Sequence, residues 1–191
     1  MAFSTVTVTP QLTTSVWAAP PTAIVMHATA GSTARSSIDH LRSVGLGYHI
    51  IIARDGRDTA KTINSDGSDP IVYFCTPLAN RAAHVGSNVP IQGGGGRIAN
   101  RCAIGIALAN RQNGEAYTPK QIAVLSEIIE HVKSKLPTVA HLTTHAVIQP
   151  WNRADPLAVD GMALAVKHGL NWFQPTAAMI AQFMPKKQGK K

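Results

Sequence analysis

Apolar and polar positions fall into short blocks along this chain. Ile24-Val25-Met26 is an apolar run that predicts a buried strand ending at His27. A small polar stretch from Thr29 to Thr33 follows. Ile38 and Leu41 then lie at helical spacing, and Gly45 is a natural stop, so a short helix is predicted over 34–44. Tyr48 to Ile52 is rich in β-formers. Asp55-Gly56 is a hairpin turn signal, with the return strand expected through Thr59 to Ile63. Residues 64–100 read as loops and include the tetraglycine Gly93–Gly96. Cys102 to Ala109 is apolar and predicts a central strand. The clearest helix starts at Thr118 as N-cap with Pro119 in the first turn. Ile122, Leu125, Ile128, Ile129 and Val132 then recur at helical spacing, and Pro137 ends the element. Val139 to Thr144 predicts a last short strand, and 157–184 one or two short helices.

This order of elements predicts an α/β fold with a central mixed β-sheet and helices packed on it. Three segments are expected: an extended arm over 1–22, a catalytic domain over 23–170, and an amphipathic basic tail over 171–191. With 191 residues there is room for one ordinary domain.

Composition changes this picture only at the ends. Hydrophobic residues are 45% and charged residues 15%, which suits a globular chain and not a disordered one. The net charge is +8, but Lys186, Lys187, Lys190 and Lys191 carry half of it. Nucleic acid is therefore not needed to explain the charge, and no nucleic-acid partner is expected. A basic tail after Trp172, Phe173, Met179, Ile180, Phe183 and Met184 suits an anionic membrane, lipopolysaccharide or cell-wall surface. The plainer reading is a packed C-terminal helix with a solvated lysine end. Residues 1–17 lack the basic start and apolar run of a secretory signal, so retention in a cytoplasm is expected. Cys75 and Cys102 read as two buried free thiols, with a single disulfide as the alternative.

Two of the eight histidines stand out. His27 and His145 each end a predicted strand, and ends of central strands can converge at one sheet edge. Asp155 follows His145 by ten residues. Two imidazoles and a carboxylate form a three-ligand zinc set with one tetrahedral position open, the pattern of hydrolytic rather than structural zinc. By spacing alone the signal is weak, because 118 residues separate the two histidines.

The flanking residues strengthen it. Ile24 to Ala30, Gly47 to Gly56, Asn80-Arg81-Ala82-Ala83-His84-Val85-Gly86, Ile104-Gly105-Ile106, Tyr117-Thr118 with Gln121, and Thr144-His145 with Arg153-Ala154-Asp155-Pro156 occur in this order. Together they resemble the zinc-dependent N-acetylmuramoyl-L-alanine amidases, a family that includes phage lysins, recycling amidases and peptidoglycan recognition proteins. The resemblance implies that His27, His145 and Asp155 bind Zn2+. It implies hydrolysis of the amide between the lactyl group of N-acetylmuramic acid and L-alanine in bacterial peptidoglycan. Arg153 stands where members often carry Lys, and its fixed charge would suit an oxyanion but not proton donation. Tyr48 matches a tyrosine that phage-type members place beside the metal site. His84 is assigned to substrate contact, with fixing of its own loop as the alternative.

One departure stands out. Many members carry Glu on the core strand as general base, where this chain has Ala107. Either Tyr48 and Arg153 suffice, as in the phage-type branch, or the protein binds peptidoglycan without cutting it. Retention of all three ligands favours catalysis. The expected protein is a monomeric phage endolysin, held in the host bacterial cytoplasm until lysis and acting on the wall in the periplasm. The alternatives are a cytoplasmic anhydro-muropeptide recycling amidase and a non-catalytic peptidoglycan-binding module.

Overall fold

The computed structural model describes residues 3–58, 67–86 and 89–184. Among them are strands β1 (Ser4–Thr7), β2 (Ala23–Ala28), β3 (Ile50–Ile52), β4 (Ile71–Phe74), β5 (Ala103–Leu108), β6 (His141–Thr144) and β7 (Asn171–Trp172). The helices are α1 (Ala34–Val44), α2 (Pro119–Lys135), α3 (His145–Ile148), α4 (Gly161–Lys167) and α5 (Ala177–Phe183).

The strands form one sheet in the order β1-β4-β3-β5-β2-β6-β7. Only the β3–β4 pair is antiparallel, so the sheet is mixed, as the sequence predicts. β2 and β5 are buried at every position, which is why they read as continuous apolar runs rather than alternating ones. On one face, Ile24, Met26, Ile50, Ile52, Ile104, Ile106 and Leu108 pack against Val124, Leu125, Ile128, Ile129 and Val132 of α2. α4 adds Leu164 and Ala165 to the same layer. On the other face, Ile51, Ala53 and Ala107 pack against Ala34 and Ile38 of α1. His27 sits in β2 opposite Ala107 of β5 and so shares this second face.

Local signals set both long helices. Thr33 caps α1 by accepting from the Ser36 amide at 3.0 Å, and Gly45 ends it in the left-handed region at φ 69°. Thr118 and Gln121 form a capping box on α2, with bonds of 3.0 and 3.3 Å.

The tight hairpin does not take its predicted form. Thr59 to Ile63 lie outside the described residues, and the antiparallel partner of β3 is Ile71–Phe74, within the stretch read as loops. The Asp55 carboxylate accepts from the Arg57 and Asp58 amides at 3.0 Å, so a turn does form there. Asp58 is then drawn away from the sheet, accepting from the Ala34 and Arg35 amides at the α1 N-terminus at 2.7 and 3.0 Å. The arm contributes β1 as an exposed parallel edge strand on β4. Cys75 and Cys102 are buried and unpaired. α5 buries none of its residues fully, though Met179 packs on the core; the four tail lysines lie outside the described residues. No helix among the described residues is long and apolar enough to cross a membrane.

Candidate metal centre

His27, His145 and Asp155 converge at the C-terminal ends of β2 and β6. One ligating atom from each lies within 4.8 Å of the others. His27 comes from the penultimate position of β2 and is fully buried. His145 opens α3, the single turn that directly follows β6. Asp155 returns on the loop after α3, where the Ala28 amide donates to its Oδ2 at 3.2 Å and its own carbonyl accepts from the Ala146 amide at 2.8 Å. Adjacent parallel strands thus deliver two histidines side by side, and the third group is held by the Ala28 amide of β2 and the Ala146 amide of α3.

The imidazoles are oriented from behind. His84 Nε2 lies 3.0 Å from the Ala103 carbonyl, which can only accept, so that nitrogen carries the proton. His84 Nδ1 is then an acceptor, and His27 Nε2 donates to it at 2.9 Å. His27 Nδ1 is left with a bare lone pair, buried and without a hydrogen-bond partner, 3.6 Å from Asp155 Oδ2. His145 Nε2 faces the Gln149 Oε1 at 3.3 Å, which turns its Nδ1 toward Asp155 Oδ1 at 3.1 Å. The His27 Nδ1 lone pair, His145 Nδ1 and the Asp155 carboxylate therefore face one another. Acceptors at such distances repel unless a cation or protons lie between them. Two imidazole nitrogens and one carboxylate oxygen, brought within 4.8 Å of one another, fit Zn2+ with a position to spare.

Electrostatics agree with this donor set. Burial lowers the His27 pKa to about 4, so the ring is neutral near pH 7. His84 is lowered well below its ordinary value, first by burial and then by its histidine neighbours. Burial, reinforced by Asp155, raises the Tyr48 phenol, which stays protonated.

An open groove of about 510 Å³ borders the centre, lined among others by Thr29, Leu41, Tyr48, Asn152, Arg153 and Asp155. The Tyr48 ring centroid is 4.9 Å from that of His27. Arg153 is exposed at the rim, its guanidinium donating to the Asn152 carbonyl at 3.1 Å. Tyr48 and Arg153 therefore meet the groove beside the three candidate ligands. His84 also lines the groove, and both its ring nitrogens are bonded inside the protein, to His27 and to the Ala103 carbonyl. Its place is behind His27. Ala107 is buried against the α1 layer, and among the described residues Asp155 is the only carboxylate lining the groove.

Sequence reasoning missed three supports. Gly105 leaves the space His84 occupies: a Cβ there would fall 2.6 Å from the His84 ring. Asn100 holds the His84 loop, accepting from the His84 and Val85 amides at 2.9 and 2.8 Å. His49 accepts from the Gly105 amide at 2.9 Å, bonds the Asn80 carbonyl at 2.9 Å and stacks on Trp17. The Ile-Gly-Ile run was a visible sign of the first; nothing local marked the other two.

Comparison with known proteins agrees with the geometry. The sequence pattern of the family described as N-acetylmuramoyl-L-alanine amidase matches residues 17–158. A search of the curated proteins finds no match. Among solved structures, AmpDh3 from Pseudomonas aeruginosa, in complex with an anhydromuramic pentapeptide, superposes with a TM-score of 0.61 at 19% identity, over 83% of this chain and 64% of that one. AmiD from E. coli, in complex with anhydro-N-acetylmuramic acid-L-Ala-D-gamma-Glu-L-Lys, gives 0.58 at 21%, over 86% and 64%. The amidase LysC from Clostridium intestinale gives 0.59 at 20%, over 88% and 98%. This chain thus spans just under two thirds of the first two and nearly the whole of the third. A pattern that runs through most of the sequence and carries His27, His145 and Asp155 within it makes this protein a member of the N-acetylmuramoyl-L-alanine amidase family.

Proposed function

We propose that this protein is a zinc-dependent hydrolase of the amide between N-acetylmuramic acid and L-alanine in bacterial peptidoglycan. The observation that carries this is the convergence of His27 Nδ1, His145 Nδ1 and the Asp155 carboxylate, each with its outer side already bonded and its lone pairs turned inward. A zinc ion held by these groups supplies a Lewis acid and a means of making water nucleophilic near neutral pH.

The chain's own residues supply the rest. The groove accepts the sugar–peptide junction next to the three ligands. Arg153, at its rim, offers a permanent positive charge to the oxyanion that develops as the carbonyl is attacked. Tyr48 holds its proton, so its hydroxyl acts as a hydrogen-bond donor, and it relays to the departing amine the proton that the attacking water gives up, with no net change in the phenol. With Ala107 in place of a carboxylate, no second acid lines the groove among the described residues, and proton handling falls to Tyr48.

Within this chemistry we assign the protein to lysis of polymeric wall, as a phage endolysin that acts as a monomer. It would wait in the host cytoplasm and reach the periplasmic wall at lysis. Support comes from the lysine-rich end, suited to anionic membrane or lipopolysaccharide. The bound anhydro-muropeptides of AmpDh3 and AmiD favour a recycling amidase as the second reading. Digestion of purified peptidoglycan and of a soluble anhydro-muropeptide, each with and without chelator, tests all of this by mass analysis of the products. Chelator-sensitive release of stem peptides beginning in L-alanine from polymer supports the lysin. Cleavage of the soluble compound alone supports recycling, and binding without products supports a recognition module.

A further inference from the structure

The two histidines of the centre are braced by unlike partners. Behind His27 stands another imidazole. Behind His145 stands Gln149, one helical turn later, where i and i+4 side chains meet. Gln149 is 3% exposed. Its amide nitrogen donates to Asn152 Oδ1 at 2.6 Å, which leaves Oε1 as the atom that faces His145. A Cβ on Gly86 would lie 3.7 Å from both ends of this amide, so the Gly86 backbone packs beside it. The Gln149 backbone takes part as well: its amide donates to the His145 carbonyl at 2.9 Å, and its carbonyl accepts from the Arg153 amide at 3.1 Å. One residue thus touches the start of the ligand segment and the turn that leads through Arg153 to Asp155.

An imidazole binds a cation through a nitrogen that has no proton, and an acceptor on the opposite nitrogen decides which one that is. We propose that Gln149 is a positioning residue of the metal centre: its carbonyl oxygen holds the His145 Nε2 proton, and so keeps His145 Nδ1 bare and aimed at the cation. This rests on the zinc reading above.

Two variants separate this role from packing. Gln149→Met keeps the volume and removes the acceptor. Gln149→Glu keeps an acceptor and buries a charge. If Gln149 only packs, Met is harmless and Glu is damaging; positioning reverses that order. The measurement is zinc affinity of the full chain, by competition with a chelating dye. Gln149→Met should bind about 10- to 100-fold more weakly than the natural protein, while Gln149→Glu stays close to it. The second readout is nitrogen NMR of His145 in the zinc-loaded natural protein. A slowly exchanging Nε2 proton is expected there, lost in Gln149→Met and retained in Gln149→Glu. Unchanged zinc affinity in Gln149→Met, or ligation of the natural protein through His145 Nε2, overturns the proposal. The natural-protein spectrum decides it even if a variant fails to fold. A natural protein that takes up no zinc overturns the metal reading itself, a different result from zinc bound equally by every variant.

Discussion

His27 Nε2 donates to His84 Nδ1 at 2.9 Å, and the space for the His84 ring exists because residue 105 has no side chain. A glycine on one strand therefore sets the tautomer of a histidine on the next through a third residue from a loop. Gly105→Ala should drive a methyl group into the His84 ring, at a cost of about 1–3 kcal/mol in stability. The same change should weaken zinc binding as His84→Ala does, by about 10- to 100-fold. Thermal melts and zinc titration check both. An intact zinc affinity in both variants would show that His84 does not orient His27.

The ligands themselves should matter more than their supports. His27→Ala, His145→Ala and Asp155→Ala should each lose zinc by more than the roughly 100-fold limit for an outer partner, and lose amidase activity with it. Metal analysis of the purified variants after zinc supplementation reads this directly. One zinc per chain in any of the three would remove that residue from the set.

Tyr48→Phe should behave differently. The ring packs beside His27 and would stay, so zinc should remain bound. Loss of the hydroxyl removes the protonated donor, and turnover should fall roughly 100-fold or more. Wall-clearing at the natural rate would exclude a chemical role for the hydroxyl.

Acid should destabilise the fold even without metal. Burial lowers His49 to about 4 from an ordinary value of 6.5, despite the opposing bond to the Asn80 carbonyl. The folded protein thus refuses a proton that the unfolded chain accepts. The associated stability is fully present above pH 6.5 and is lost as pH falls toward 4, in total about 3 kcal/mol for this one group. His84 is shifted in the same direction. Melting temperatures of chelator-treated protein between pH 7 and 4 should decline, and the slope should be shallower in a folded His49→Gln variant. A flat profile in the natural protein would contradict the buried neutral imidazole.

The lysine-rich end can be tested by removal. Deleting residues 186–191 halves the net charge from +8. Activity on whole Gram-negative cells should fall more than activity on purified wall, and the gap should close at high salt. Equal losses on both substrates would show that the lysines do not serve surface contact.

Much of the scaffold was legible in the residues alone. α1 appeared between Thr33 and Gly45 and α2 between Thr118 and Pro137, because caps, periodicity and prolines act within a few residues of one another. β2 and β5 announced themselves as unbroken apolar runs because both their faces are covered. The partner of β3, the exposed edge strand β1 and the two-residue β7 did not, since pairing with a distant strand, not local pattern, makes them strands. The three candidate ligands could be named from sequence, but only parallel pairing of β2 with β6 carries His145 across 118 residues to His27. The tasks of Gln149 and His49, and the contact between His84 and His27 that Gly105 makes room for, were decided by tertiary structure. Which nitrogen of an imidazole is bare depends on what lies behind it, and that neighbour is chosen by packing.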